Sequence, residues 1–256
     1  MNLDFSDDQK FLQDEARKFF DKEGGLTNTR KVMDESLSHD EALWGKVLEL
    51  GWTGIRIPEE YDGLGLGHLE LCVIAEEIGR ALAPIPFSSS VYLFTETIIK
   101  YGSEEIKKNV LPKLVTGEIV GTYAVAEDMS AITESTLSCA VEGDSVTGAK
   151  IAVPDAELAT HAVVLVKGTK GPELRLVDLN SDGVEISLQK NLDKSRSFYK
   201  VAFNNAQSSL LGDQGSGWES HVHIMDQAAV LFAFEQVGGS QQALDMAKEY
   251  AMERYA

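Results

Sequence analysis

The first part of the chain, to about residue 120, carries apolar residues at the three- and four-residue spacing of amphipathic helices. Ser6 and Gln9 form a capping-box pattern ahead of one apolar run, and Ser38 and Glu41 repeat it ahead of the next. Ser103 stands where its hydroxyl can cap a third run, EEIKKNVLPKLVTG. Two further segments with this period are Leu69–Leu82 and Ser88–Tyr101. This part is therefore predicted to be helical.

The middle part, residues 121–212, changes to short runs rich in β-branched and aromatic residues, separated by Gly, Asp, Asn and Pro. The runs are GTYAVAE, TLSCAVEGD, SVTGAKIAV, HAVVLVK, ELRLVDL, VEISLQ and FYKVAFNNA. Two of them meet across Glu142–Gly143–Asp144, which is a hairpin-like turn. Because no strand alternates with a helix, a parallel α/β sheet is not expected. The pattern predicts about seven strands in an antiparallel barrel or sandwich.

The last part, residues 213–256, returns to the helical period. Ser216 and Glu219 form another capping-box pattern. Gly238–Gly239 interrupts the helix, where each glycine costs about 1 kcal/mol relative to Ala. The pair is therefore expected to let another backbone approach closely. The predicted apolar stripe of this helix is Trp218, Val222, Met225, Ala229, Phe232, Leu244, Ala247, Ala251 and Tyr255.

These three patterns predict an α+β chain of several domains. The expected parts are an all-α helical domain over residues 1–120, a β-domain over 121–212, and the first helix of a C-terminal helical domain over 213–256. Such an order leaves a crevice between parts, which is a common place for a ligand.

The composition narrows the function by excluding some partners. A net charge of −18 argues against nucleic acid and anionic membrane surfaces, since both would need basic patches. No run of about 18 apolar residues occurs, so membrane insertion is not expected. The N-terminus lacks the pattern of a secretory signal, which favours a cytoplasmic location. Cys72 and Cys139 are isolated thiols in apolar surroundings and are expected to be buried.

The short motifs of the chain carry no chemistry by themselves. EYDGLGLG contains three glycines, but no strand–loop–helix unit surrounds them, so a tight turn is favoured over a phosphate loop. His221 and His223 lie two residues apart on a predicted helix and point away from each other, so no metal site is expected. No nucleophile motif of a hydrolase is present.

Seven segments in this order resemble the acyl-CoA dehydrogenase family of flavoproteins over nearly the whole chain. The segments are LDFSDDQKFLQDEARKFF, LGWTGIRIPEEYDGLGLG, AEEIGRALAPIPF, YGSEEIKKNVLPKLVTGE, GTYAVAE, LLGDQGSGW and AAVLFAFEQVGGSQQALDMAKEYAMERYA. The resemblance implies an N-terminal helical domain, a β-barrel and a C-terminal four-helix bundle. It also implies FAD between the barrel and the bundle, and a role in fatty acid metabolism and lipid degradation.

The resemblance also assigns residues to the cofactor. The backbone of one strand would line the flavin ring, and a second strand would pass its other side. A hydroxyl from the loop after the first strand would contact the flavin, and an arginine near the end of the long helix would meet the FAD of a partner subunit. The matching residues are Tyr123, Val125 and Ala126, then Lys150, Ile151, Ala152 and Val153, then Ser130 or Thr133, and finally Arg254.

The chemistry implied is α,β-dehydrogenation of an acyl-CoA thioester, with a glutamate removing the α-proton while hydride leaves the β-carbon for flavin N5. Electron-transfer flavoprotein would be the electron acceptor. Three departures from the family pattern stand out. Ala126 replaces the usual Thr, and Ala152–Val153–Pro154 replaces a Trp-Ile-Thr or Trp-Ile-Ser segment. The base is missing: the matching helix position is Ala228, and the usual glutamate is expected beyond Ala256.

The chain is accordingly expected to be a fragment or a subunit of a homo- or hetero-oligomeric enzyme. One alternative is a non-catalytic partner subunit of a heteromeric acyl-CoA dehydrogenase. Another is a related flavin oxidase or monooxygenase. The sequence leaves the acyl group open.

Overall fold

The computed structural model describes residues 4–254, and its first part is helical as predicted. Trp52–Gly54 and Glu59–Tyr61 are single 3₁₀ turns between α3 and α4, and Ser88–Thr95 is a π-helical segment that runs directly into α5. The α-helices of this part are α1 (Asp7–Glu23), α2 (Leu26–Glu35), α3 (Glu41–Glu49), α4 (His68–Ala81), α5 (Glu96–Tyr101) and α6 (Glu104–Thr116).

The predicted helix caps are confirmed at two positions and wrong at two others. Ser6 and Gln9 make the reciprocal capping box of α1, and the Ser103 hydroxyl caps α6 by accepting from the Ile106 N–H. Ser38 does not cap α3, because Asp40 stands closer to the helix and accepts from the Leu43 N–H. The long C-terminal helix does begin after Ser216. The Ser216 hydroxyl, however, donates to the Asp213 carbonyl at 2.8 Å instead of capping the helix.

The middle part forms seven strands within the described residues. They are β1 (Gly121–Ala124), β2 (Ala140–Glu142), β3 (Ser145–Pro154), β4 (His161–Gly168), β5 (Gly171–Asp178), β6 (Val184–Gln189) and β7 (Phe198–Leu211). Strands β2, β3, β7, β5 and β4 pair in a closed ring, β1 joins β4, and β6 joins β7. The barrel and the β2–β3 hairpin are thus confirmed. Most pairs are antiparallel, but β4 pairs parallel with β1 and β2, which the pattern did not predict.

Two apolar cores hold the molecule together. One fills the barrel and includes Val146, Val164 and Val201. The other joins all three parts of the chain, from Phe20 in α1 through Leu174 in β5 to Leu231 in the C-terminal helix. The division into three domains therefore stays a prediction, because one continuous core crosses both proposed boundaries.

The last element is α7 (Gly217–Glu253), which crosses α4 at a contact between backbones. A Cβ on Gly238 would lie 1.9 Å from the Glu76 carbonyl oxygen, and one on Gly79 would lie 2.0 Å from that of Glu235. The close approach predicted for the glycine pair is confirmed. Elsewhere along α7, the buried residues include Ile224, Ala228 and Leu231.

The predicted apolar stripe lies largely outside this set of buried residues. Val222, Met225 and Leu244 are exposed by 41%, 38% and 62%, so most of the stripe has no cover among the described residues. Tyr255 lies outside the described residues.

Candidate functional site

The two strands assigned to the cofactor meet at one edge of the barrel. β1 ends at Ala124, and the chain then passes β3 with the Ile151 N–H donating to the Ala126 carbonyl at 2.8 Å. Val125, Ala126 and Ile151 are half-buried, and Ala152 is exposed. The Ala126 N–H has no acceptor among the residues that the structure describes. This edge therefore offers a partly open apolar surface and one free backbone donor.

A buried ion pair between Lys150 and Glu127 holds the backbone of this barrel edge in place. The Lys150 ammonium is fully buried and donates to the Val125 carbonyl at 3.0 Å and to the Glu127 carboxylate at 2.8 Å. Burial lowers the pKa of Lys150, and the Glu127 hydrogen bond opposes that change. Burial acts to raise the pKa of Glu127, but hydrogen bonds from Lys150 and Ser138 outweigh it, so that pKa is lowered. The pair fixes the backbone that is assigned to the flavin.

Tyr123 faces the first turns of α7, where the sequence indicated no functional residue. Its hydroxyl and the His221 Nδ1 lie 3.2 Å apart, and the two rings stack with centroids 5.9 Å apart. Trp218 also packs against His221, with ring centroids 5.6 Å apart. Burial, with a smaller contribution from Lys150, lowers the pKa of His221 to about 4, so the imidazole is neutral near pH 7. Only the fold could reveal this contact, because 98 residues separate the partners.

The hydroxyl groups of Ser130 and Thr133, in the loop after β1, contact other residues of the same loop. The Ser130 N–H donates to Asp128 at 2.7 Å, and the Ser130 hydroxyl contacts the same carboxylate. The Thr133 hydroxyl lies 3.0 Å from that of Ser135. Both residues are exposed. The roles predicted for Ser130 and Thr133 remain predictions.

The second strand is irregular where it reaches the site. The β3–β7 register shifts between Lys150 and Val153, and Ala152 has a positive φ of 51°. The Ala152 N–H donates to the Gln189 side chain at 2.7 Å, and Val153 pairs with Tyr199 in the ladder with β7. Pro154 has no N–H to offer. This side of the edge therefore presents apolar surface without a free backbone donor from residues 152–154.

The remaining predicted positions lie on α7. Ala228 is fully buried in the shared core, and Asp226 is exposed. Glu235 is partly buried, with 12% of its side chain exposed, and pairs with Arg196 at 3.2 Å. Arg254 follows the end of α7, where its guanidinium lies 5.8 Å from the Tyr250 ring centre. At 1.5 Å per residue, Arg254 stands about 50 Å along the helix from His221. Arg254 therefore cannot reach the same site within one chain.

The remaining sequence predictions concern thiols, metals and membranes. Cys72 and Cys139 are buried as predicted, and burial raises the pKa of each to about 11. Among residues 4–254 no cluster of three or more His, Cys, Asp and Glu side chains could hold a metal ion. In the same range, no helix has both the length and the apolar character that a membrane span requires.

A helical part, a closed barrel and a long helix packed against β5 and β4 together form an architecture that is found in known proteins. Residues 6–118 match the family described as "Acyl-CoA dehydrogenase, N-terminal domain". The chain is 27% identical to the mitochondrial isovaleryl-CoA dehydrogenase of Oryza sativa subsp. japonica over 99% of its own length and 66% of that protein. It is 28% identical to the mitochondrial short-chain specific acyl-CoA dehydrogenase of Sus scrofa, over 100% and 65%.

A solved structure shows the same similarity across the whole chain. The complex of glutaryl-coenzyme A dehydrogenase with glutaryl-CoA superposes with a TM-score of 0.91 and 25% identity, covering 100% of this chain and 69% of the other. The family whose N-terminal domain residues 6–118 match, and whose members the chain resembles over its whole length, is the acyl-CoA dehydrogenase family. The chain spans about two thirds of the length of the curated relatives, 66% and 65% for the two named above.

The edge between β1 and β3 fits a flavin ring in part. A flat aromatic ring needs apolar walls and a few hydrogen-bonding groups at its polar rim. Val125, Ile151 and Trp218 offer half-buried apolar surface, and the free Ala126 N–H offers a donor. The β3 side lacks such a donor at residues 152–154. The residues present thus suit binding of the ring from the β1 side.

Proposed function

We propose that this chain is the FAD-binding portion of an acyl-CoA dehydrogenase, either as part of a longer enzyme or as one subunit of an oligomer. The observation that carries the proposal is the superposition of the whole chain on a family member in complex with its acyl-CoA. Bound FAD would accept hydride from the β-carbon of an acyl-CoA thioester. Electron-transfer flavoprotein would then take up the electrons, and the location would be cytoplasmic.

The chain's own residues would bind and orient the ring in this proposal. Val125 and Ala126 from the β1 side and Ile151 and Ala152 from β3 would contact the ring side by side, because the Ile151 N–H donates to the Ala126 carbonyl. Tyr123 and His221 would close the inner end of the site, since both are buried and neutral near pH 7. Arg254 would serve a second copy or a partner chain, because it lies too far along α7 to serve its own.

The catalytic base would come from a carboxylate outside residues 4–254. A base must sit against the α-carbon with hydrogen-bond reach to the proton that it removes. Ala228 has no acidic group, Asp226 is exposed, and Glu235 is engaged with Arg196. We propose that a further helix or a partner chain supplies this group.

A second candidate is a non-catalytic subunit that supports a related active chain. Two observations favour it: Ala228 occupies the matching base position, and no free N–H is present at residues 152–154. In this case flavin and base would both belong to the partner chain, and the open edge beside Ala152 would not bind a flavin of its own.

Flavin retention tests the first candidate against the second. The full-length protein would be purified with its cognate partner chains and its flavin absorbance measured after gel filtration. Retained FAD that a panel of acyl-CoAs bleaches without oxygen supports the dehydrogenase, whereas protein that never retains FAD contradicts it. Oxygen consumption in the presence of substrate would identify an oxidase or monooxygenase instead.

Arg254→Ala in this chain then shows which chain holds the cofactor. We expect this variant to lose flavin, and Arg30→Ala, at an exposed arginine on α2, to retain it as the matched control. Activity and flavin that survive Arg254→Ala would favour the supporting subunit.

A further inference from the structure

A cavity of about 370 Å³ lies between the end of α2 and the segment that joins β6 to β7. We call it the α2–β6 pocket. Its lining includes Met33 and Leu37 from the α2 side and Leu188, Lys190, Lys194 and Arg196 from the other side. The volume falls within the range of small-molecule sites, about 300–1,000 Å³.

The charge of the pocket is opposite to that of the chain. Three cationic side chains line it and no carboxylate does, although the chain has a net charge of −18. Lys190 and Lys194 form no ion pair with any residue that the structure describes. The nearest acid in sequence, Asp193, accepts hydrogen bonds from the N–H and hydroxyl of Ser195 at 2.8 and 2.6 Å. Asp193 does not line the pocket, so the charged side chains of the lining are all cationic.

The third cationic side chain, Arg196, is held in place by hydrogen bonds to other parts of the chain. Arg196 donates to the Ser88 hydroxyl at 2.6 Å and to the Glu235 carboxylate at 3.2 Å, while about a third of its side chain stays accessible. The Asn191 side chain donates to the Arg196 carbonyl at 3.0 Å. These contacts fix one wall of the pocket, so the cationic group there is preorganised for a ligand.

The rim of the pocket is apolar. Met33, Leu37 and Leu188 are exposed by 36%, 43% and 69%, and all three line the same cavity. Large aliphatic side chains beside cationic ones favour a ligand with an anionic head and an apolar stem, because each methylene removed from water contributes about 0.8 kcal/mol.

The pocket is also joined to the candidate flavin edge. Gln189 lines the pocket, and its side chain accepts the hydrogen bond from the Ala152 N–H at 2.7 Å. A ligand that moves Gln189 would release or reorient this donor at the β3 irregularity. We infer that the α2–β6 pocket binds a small amphipathic anion, a phosphate or carboxylate on an aliphatic chain, with Lys190 and Lys194 holding the anionic head. The inference does not depend on the proposed function.

Calorimetric titration of the full chain with octyl phosphate and with inorganic phosphate tests this site. We expect octyl phosphate to bind about tenfold or more tightly than inorganic phosphate, since burying two methylenes is worth about that factor. The double substitution Lys190→Gln and Lys194→Gln should weaken both probes about tenfold or more, and added salt should weaken them as well. A parallel titration with octanoate separates the two head groups: equal affinity indicates a carboxylate ligand, and weaker binding indicates a phosphate.

Matched variants keep the test specific. The pair Lys108→Gln and Lys248→Gln makes the same charge change at exposed positions on α6 and α7 and should leave both affinities unchanged. Leu37→Ser should weaken octyl phosphate alone, whereas Leu192→Ser, at a fully exposed residue outside the lining, should have no effect. Equal losses in the two lysine pairs, or no saturable binding of octyl phosphate, would overturn the inference.

Discussion

At the scale of single residues, His221 makes stability depend on pH. Its pKa is about 4 in the folded chain and about 6.5 when exposed. Between these values the unfolded chain binds more protons at this site than the folded chain does, so the free energy of unfolding falls as pH falls. The full effect is about 3 kcal/mol. We expect His221→Gln to show a shallower loss of stability between pH 6.5 and 4 than the original chain, as measured by urea unfolding.

Tyr123→Phe is the control for that experiment. It removes the hydroxyl partner of His221 but leaves the imidazole buried, and burial is the main cause of the lowered pKa. The slope with pH should therefore persist in Tyr123→Phe. If His221→Gln kept the same slope as the original chain, the imidazole would not be the titrating group.

The second prediction at this scale concerns the ion pair between Lys150 and Glu127. Lys150→Met keeps most of the aliphatic stem but leaves the Glu127 carboxylate without its cation. Removing one partner of a buried ion pair costs about 3–5 kcal/mol, and Glu127 keeps hydrogen bonds from Ser138 and Cys139. We expect a loss near 3 kcal/mol by chemical denaturation, partly restored by adding Glu127→Gln. Lys167→Met on β4 is an exposed control and should change stability by less than about 0.5 kcal/mol.

At the scale of elements, the crossing of α4 and α7 depends on one glycine of the pair. Gly238→Ala would place a methyl group 1.9 Å from the Glu76 carbonyl oxygen, which the two helices can relieve only by moving apart. The same change at Gly239 would meet its nearest atom at 3.4 Å. We expect Gly238→Ala to destabilise the chain by more than about 2 kcal/mol. Gly239→Ala should be neutral or stabilising, by up to about 1 kcal/mol from helix propensity. Thermal unfolding of both variants decides this, and equal effects would contradict the crossing.

Most elements could be predicted from the sequence because their patterns are local. The period of each segment, the Ser6 and Ser103 caps and the β2–β3 turn depend on residues a few positions apart. Helix α2 was missed because it begins at Gly25 without a side-chain cap and buries only Thr29 and Val32. The buried face of α7 was also missed, since this helix is apolar on more than one side and a three-to-four spacing fits each of them.

The candidate flavin site could be predicted from the sequence only where it consists of the predicted strands. The resemblance assigned Ala126 and Ile151 to two sides of one flavin ring, and the structure joins them directly by a hydrogen bond. The sequence could not indicate that Tyr123 meets His221 or that Gln189 holds Ala152, because those contacts depend on how the barrel closes and where α7 lies. Pairs far apart in the chain leave no local pattern of residues.

At the scale of the whole molecule, the last prediction concerns Arg196. This residue of the β-strand part contacts both the N-terminal helical part and α7. It joins the β6–β7 segment to Ser88 in the π-helical segment and to Glu235 on α7. Burial raises the pKa of Glu235, and the Arg196 guanidinium opposes that rise. Arg196→Met would leave the partly buried Glu235 without a cation, so we expect a loss of about 2–4 kcal/mol.

Because the core is shared by all three parts of the chain, we expect Arg196→Met to lower the stability of the whole chain as one cooperative unit. Unfolding followed by the fluorescence of Trp44, Trp52 and Trp218 and by circular dichroism should give one coincident transition in the original chain and in the variant. The double variant Arg196→Met and Glu235→Met removes both charges and should be less destabilised than the sum of the single changes. Additive losses of stability in the double variant would mean that Arg196 and Glu235 are not coupled. Separate unfolding transitions would mean that the barrel and the helices unfold independently despite their common core.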